Sequence, residues 1–206
     1  GLTMVRHFLE AGLVDQAQEV AALLLEHGAP PRHTNMCGWS LLAYSLSYQD
    51  SSLELTRTLL SHGASVFPLS DAFSPTSAPF RVFLSSLVRA QSLSSARDTL
   101  SLLGQVMARS PARMKAHVLS SLVAEARYPN LQTLQVFKEV REALEPHWRR
   151  PSSLLHLSLH ASRRRLGLKR LNTGALPVAP RLASYLSYRL TLRPPPPSPP
   201  SNLQDS

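Results

Sequence analysis

Four sets of side chains in this sequence are of a type and spacing that could carry chemistry. His156 and His160 stand four apart, which places two imidazoles on one helix face as in zinc-binding helices. No Glu follows His156 and no third ligand is evident, so the pair reads as exposed or packed histidines and no metal is expected. His27 and His62 look like ligands taken singly, yet both fall at the same place in a repeated segment, which assigns them to stabilising a turn. Cys37 would need a base close in space to act as a nucleophile, and it reads instead as a small buried or loop cysteine. The run Arg163, Arg164, Arg165 with Lys169 and Arg170 could track phosphates, but few aromatic residues accompany it and no nucleic-acid fold pattern surrounds it. It reads as a solvated face suited to acidic patches of a protein partner, with neither nucleic acid nor membrane expected. With no nucleophile and base pair, metal set or phosphate loop in view, the chain is read as a non-enzyme that needs no cofactor.

The elements that must position these groups are bounded by composition. The 206 residues are 43% hydrophobic and 17% charged, enough for one globular domain or two small ones. No apolar run reaches the roughly 18 to 20 residues of a spanning helix. The start lacks a basic flank, an apolar stretch and a cleavage site, so a soluble, cytoplasmic or nuclear protein is expected. A single cysteine fits a reducing compartment and excludes an internal disulfide or a multi-cysteine metal site. The net charge of +9 is not spread evenly: residues 1 to 146 carry 12 Lys and Arg against 12 Asp and Glu, whereas residues 147 to 206 carry 10 against Asp205 alone. The excess belongs to one C-terminal module.

A repeat organises the first third. Leu23-Leu24-Leu25-Glu26-His27-Gly28-Ala29 recurs as Thr58-Leu59-Leu60-Ser61-His62-Gly63-Ala64, 35 residues on. Each copy ends a helix, with apolar positions Ala17, Val20, Ala21, Leu24 and Leu25 in the first and Leu55, Leu59 and Leu60 in the second. Gly28 and Gly63 sit where a helix stops in a left-handed turn. Gly38-Trp39-Ser40-Leu41-Leu42-Ala43 opens a further short helix after a loop. This unit resembles the ankyrin repeat, in degenerate form: Ser40 stands where that family has Thr, Leu41 where it has Pro and Ala43 where it has His, so part of the usual hydrogen-bonded turn is expected to be missing. The chain begins Gly1-Leu2-Thr3, like the opening of another unit, which reads as a fragment or processed form. Two units bury too little on their own, so upstream repeats or the following helices must complete the core.

Pro68, Pro75 and Pro79 among polar residues mark a break or a degenerate third unit. Helices are expected near 80 to 90, 95 to 108 (Ala96, Leu100, Leu103 and Met107 on one face), 112 to 126 and 131 to 145 (Leu134, Phe137 and Leu144). Pro111, Pro129 and Pro146 punctuate them. No stretch reads as a strand. The tail from 191 to 206, with its proline run, is expected to be disordered.

The segment Pro151 to Gly167 reads as a capped helix in which Leu154, Leu157 and Ala161 share a face with Ser158. Leu176-Pro177-Val178-Ala179-Pro180 is an extended piece running into a helix with Leu182, Tyr185, Leu186 and Leu190 on one stripe. Together these resemble the SOCS box: Ser153-Leu154-x-x-x-Ser158-x-x-x-Ser162 lies over its elongin-binding pattern, and Leu176-Pro177-Val178-Ala179 over its cullin box. With ankyrin-like units upstream, the chain resembles the ankyrin repeat and SOCS box family over residues 1 to 65 and about 147 to 190.

The resemblance implies an all-α protein with ankyrin-like helix pairs at 1 to 66, a helical spacer or degenerate repeats at 67 to 146, and a three-helix SOCS-like box at 147 to 190. It implies an adaptor whose box binds elongin C, with elongin B, through Leu154, Leu157, Ser158, Ala161 and Ser162. Cullin-5 and its RING partner would follow through Leu176, Pro177, Val178, Ala179 and Pro180, while the ankyrin stack holds an unknown protein substrate. Ser158 and Ser162 replace the family's Cys and aliphatic residue, and Ala179 its second Pro. A hydroxyl in an apolar pocket costs roughly 1 to 3 kcal/mol, about 5- to 150-fold in affinity per site. The alternative is an ankyrin scaffold whose decayed box has lost ligase coupling and caps the helical stack.

Overall fold

A computed structural model describes residues 2–67, 77–126 and 130–149, together with Ser158. The described residues are mostly helical and contain no strand, only one isolated antiparallel bridge between Thr34 and Ser40. The helices are α1 (Leu2–Glu10), α2 (Val14–Glu26), α3 (Leu41–Ser47), α4 (Leu53–Ser61), α5 (Pro79–Ala90), α6 (Arg97–Met107), α7 (Pro111–Glu125), α8 (Leu131–Leu144) and the short α9 (Pro146–Arg149). A 3-10 turn, Gln49–Ser52, joins α3 to α4.

Local chemistry sets the boundaries. Pro79, Pro111 and Pro146 each occupy a first helical position, where the missing N–H has no intrahelical partner to lose. Ser40 caps α3 by accepting from the Ala43 N–H at 3.2 Å, and Asn130 caps α8 by accepting from the Thr133 N–H at 2.7 Å.

The two copies of the repeated segment end alike. In α2 the Ala29 N–H reaches the Leu24 carbonyl at 2.9 Å and Gly28 has φ of 90°. In α4 the Ala64 N–H reaches the Leu59 carbonyl at 3.0 Å and Gly63 has φ of 93°. Each is the helix stop that satisfies orphan carbonyls through a left-handed residue, which only glycine adopts without steric cost. His27 Nδ1 lies 2.7 Å from the Leu23 carbonyl and His62 Nδ1 lies 2.8 Å from the Thr58 carbonyl. Both histidines therefore tie off the last turn of their helix, as their shared repeat position predicts.

Packing alternates. Beyond the contacts of α1 with α2 and α3 with α4, α1 packs on α3, α3 on α5, α5 on α7 and α7 on α9. In the second row α2 packs on α4, α4 on α6 and α6 on α8. One hydrophobic core runs from Val5 to Leu144 through both rows, with Leu42, Leu46, Leu55, Leu59, Phe80, Phe83, Leu84 and Leu87 fully buried. The stripe Ala96, Leu100, Leu103 and Met107 is buried as its spacing predicts. Leu134 is a correction. Phe137 and Leu144 are buried as expected, but the stripe of α8 is Thr133, Val136, Phe137, Val140 and Leu144, so Thr133 takes the place expected of Leu134, which is 48% exposed.

Polar groups lock the rows. Arg81 of α5 pairs with Glu125 of α7 at 3.0 Å, both mostly buried. Ser45 of α3 meets Thr56 of α4, hydroxyl to hydroxyl, at 3.0 Å. The turn Gln49–Ser52 reaches furthest. Gln49, buried at a left-handed φ of 57°, donates to Ser86 at 3.3 Å and accepts from Ser95. Asp50 accepts from the Thr99 N–H at 2.8 Å, closing the start of α6, a helix whose own N-cap residue, Ala96, offers no side-chain acceptor. Asp50→Ala is expected to cost about 1 to 2 kcal/mol, the worth of a charged cap, and Asp50→Asn less. Urea unfolding gives the total, and hydrogen exchange at the Asp98 and Thr99 amides shows that the loss falls on α6.

Candidate functional site

Among the described residues a concavity brings aromatic and apolar groups together with the guanidinium of Arg6. It holds about 360 Å³ and is lined by Thr3 and Arg6 of α1, His33, Thr34, Asn35, Met36 and Trp39 of the loop before α3, and Leu41 and Tyr44 of α3. Helices α1 and α3, which pack on each other, enclose it together with the loop.

Asn35 fixes that loop. Its side-chain oxygen accepts from the N–H groups of Cys37 at 3.0 Å and Trp39 at 2.9 Å, while its own N–H donates to the Trp39 carbonyl at 3.0 Å. Gly38, at φ of 78°, completes the turn by donating to the Asn35 carbonyl at 2.9 Å. The Asn35 amide then donates to the Tyr44 hydroxyl at 3.2 Å. One side chain therefore holds the loop and positions an aromatic ring on the neighbouring helix. Trp39 and Tyr44 stack at a tilt with centroids 5.1 Å apart, and the Arg6 guanidinium lies over the Tyr44 ring at 5.5 Å. Arg6 also pairs with Glu10 at 3.0 Å on the exposed side of α1. Met36 of the lining is fully exposed, and Met4 on α1 is 57% exposed.

The lining of the concavity contains a guanidinium, an imidazole, an amide, hydroxyls and aromatic rings, but no carboxylate. Among the described residues no group of three or more His, Cys, Asp or Glu is placed to hold a metal ion. Cys37 is exposed on the loop, beside the concavity but not in its lining.

A second titratable feature lies elsewhere. His117 of α7 is half-buried between the rings of Phe67, at 5.5 Å, and Phe80, at 5.7 Å, and its Nε2 has no hydrogen-bond partner among the described residues. Burial, helped by the nearby charge of Arg113, pushes its pKa down to about 4.

Of the expected box residues, Ser158 is helical and exposed. Leu154, Leu157, Ala161 and Ser162 on the elongin side, and Leu176, Pro177, Val178, Ala179 and Pro180 on the cullin side, lie outside the described residues, as do His156, His160 and the basic run from Arg163. The concavity was not among the expected sites. Its sequence signal was Asn35 three residues before Gly38, a turn signature, with two aromatic residues close behind. No helix among the described residues is long and apolar enough to cross a membrane. Comparison of the chain with protein-family models, with curated proteins and with solved structures returned no match.

Proposed function

We propose that the chain is the substrate-recognition adaptor of a ubiquitin ligase, with ankyrin-type helix pairs that hold a protein substrate and a C-terminal SOCS-type box. In this reading the box docks on elongin C, with elongin B, and recruits Cullin-5 with its RING partner. The observation that carries it is the recurrence of one helix ending 35 residues apart, down to the same histidine and glycine bonds, upstream of the two box motifs in their family order. Alternate packing of successive pairs supports the ankyrin-type assignment of the stack. The chain would supply no catalytic group. Its role would be to raise the effective concentration of a substrate lysine near the charged conjugating enzyme.

Ser158 and Ala179, at positions where the family has Cys and Pro, favour a second reading, a scaffold whose box no longer couples to the ligase. Co-expression with elongins B and C followed by size-exclusion chromatography separates the two. The adaptor predicts a ternary complex that Leu154→Asp abolishes and that Ser158→Cys tightens by roughly 5- to 150-fold. A wild type that elutes alone, while a Ser158→Cys, Ser162→Ile variant enters the complex, establishes the scaffold instead.

A further inference from the structure

We infer that the concavity between α1, α3 and the Asn35 loop binds an extended protein segment in which a large apolar side chain is flanked by carboxylates. This rests on the adaptor reading only in naming the class of substrate segment; binding itself needs no elongin.

Three observations choose the occupant. The lining presents the Arg6 guanidinium and no acidic side chain of its own, so the carboxylate an incoming one must compete with there is Glu10, which pairs with Arg6 from outside the lining. Glu10 already demonstrates the match: it holds the Arg6 guanidinium at 3.0 Å from outside the lining, an exposed intrachain carboxylate that an incoming one can displace. The second observation is size and character. About 360 Å³ lined in part by Trp39 and Tyr44 has room for one or two large side chains, near the lower end of the roughly 300 to 1,000 Å³ typical of ligand sites. The third is reach. Met36 lines the concavity and is fully exposed, so the apolar surface of the site extends outward along this side chain. A compact metabolite seated inside would cover only the inner part of Met36, whereas an extended chain lies along the whole side chain.

The aromatic lining is built before any partner arrives. The Asn35 side-chain oxygen accepts from two loop amides and its amide donates to the Tyr44 hydroxyl, so the Tyr44 ring is held in place before binding and the Trp39 ring packs against it.

The test uses the full chain without elongins and fluorescein-labelled twelve-residue peptides read by anisotropy. One set has Leu or Phe flanked by two Asp or Glu on each side, a second has Lys in place of the acids, and a third has Ser in place of the apolar residue. Preferential binding of the first set is expected, with Arg6→Met weakening it by about 5-fold or more and Met36→Ser by about 3- to 10-fold. Glu10→Gln is expected to tighten it by about 2- to 5-fold, because a competing carboxylate is removed. This opposite sign keeps the result independent of any variant that merely loosens the fold. Equal binding of acidic, basic and Ser-substituted peptides, equal binding of a dT12 oligonucleotide, or indifference to both Arg6→Met and Glu10→Gln overturns the inference. Failure of the elongin complex with peptide binding intact removes the ligase reading and leaves the groove; the converse removes the groove alone.

Discussion

Phe83→Ala is expected to remove about 3 to 5 kcal/mol of stability, because a fully buried ring is lost and its neighbours close only in part over the cavity. For a chain of this size that corresponds to a fall in Tm of roughly 6 to 20 °C. The location of Phe83 makes the readout more informative than the magnitude. It lies in α5, which packs against α3 on one side and α7 on the other, in a core that is continuous from Val5 to Leu144. The two tryptophans report from opposite ends, Trp39 beside α3 and Trp148 in α9. Urea unfolding followed through Trp39 in a Trp148→Phe background, and through Trp148 in a Trp39→Phe background, should shift by the same amount in both. A shift confined to one reporter would show that the pairs unfold separately.

Acidification supplies the second large effect. His117 is neutral in the fold down to about pH 4, whereas in the unfolded chain it takes a proton near pH 6.5. Between those values the unfolded state binds more protons, so stability falls as the pH falls and levels off below about 4. A shift of that size is worth at most about 3 kcal/mol; partial exposure of the ring reduces the expected loss to about 1 to 2 kcal/mol. Replacing His117 with Gln should abolish this part of the slope. The difference between wild type and His117→Gln in urea midpoint, measured at pH 7.5 and again at pH 4.5, isolates it from the carboxylates, which titrate in both. A wild type and a variant that lose stability in parallel would show that protonated His117 finds room in the fold.

What the sequence reveals about this protein is whatever is local to one element. Gly28 and Gly63 are legible because a left-handed helix stop needs glycine, and the repeat points to His27 and His62 because a bond from residue i to carbonyl i−4 is made within one turn. Helical periodicity finds α5 to α8 to within a residue or two. It fails at Leu134, where an apolar residue sits one position off the true stripe and the choice depends on where α6 and α5 press on α8. The concavity is harder still. Trp39 reads as part of a helix opening and Tyr44 carries no signal of its own, and only the folded turn, with Asn35 bonded to both loop and helix, brings the two rings together. Asp50 was invisible as a cap because its partner amide is 49 residues away, whereas local reasoning would assign it to the adjacent α4.

The turn between α3 and α4 also decides what can follow it. Gln49 and Asp50 together form a socket that takes the hydroxyls of Ser86 and Ser95 and the first amides of α6. Grafting residues 2 to 66 onto a different helical array would carry this socket along, and the new neighbour would have to bring two hydroxyls and a helix start to the same places or leave a buried amide and a carboxylate unmatched. Successive pairs in this chain are therefore not interchangeable tiles. Their order is written into two residues of one turn, which makes that turn a connector specific for the helices that follow it.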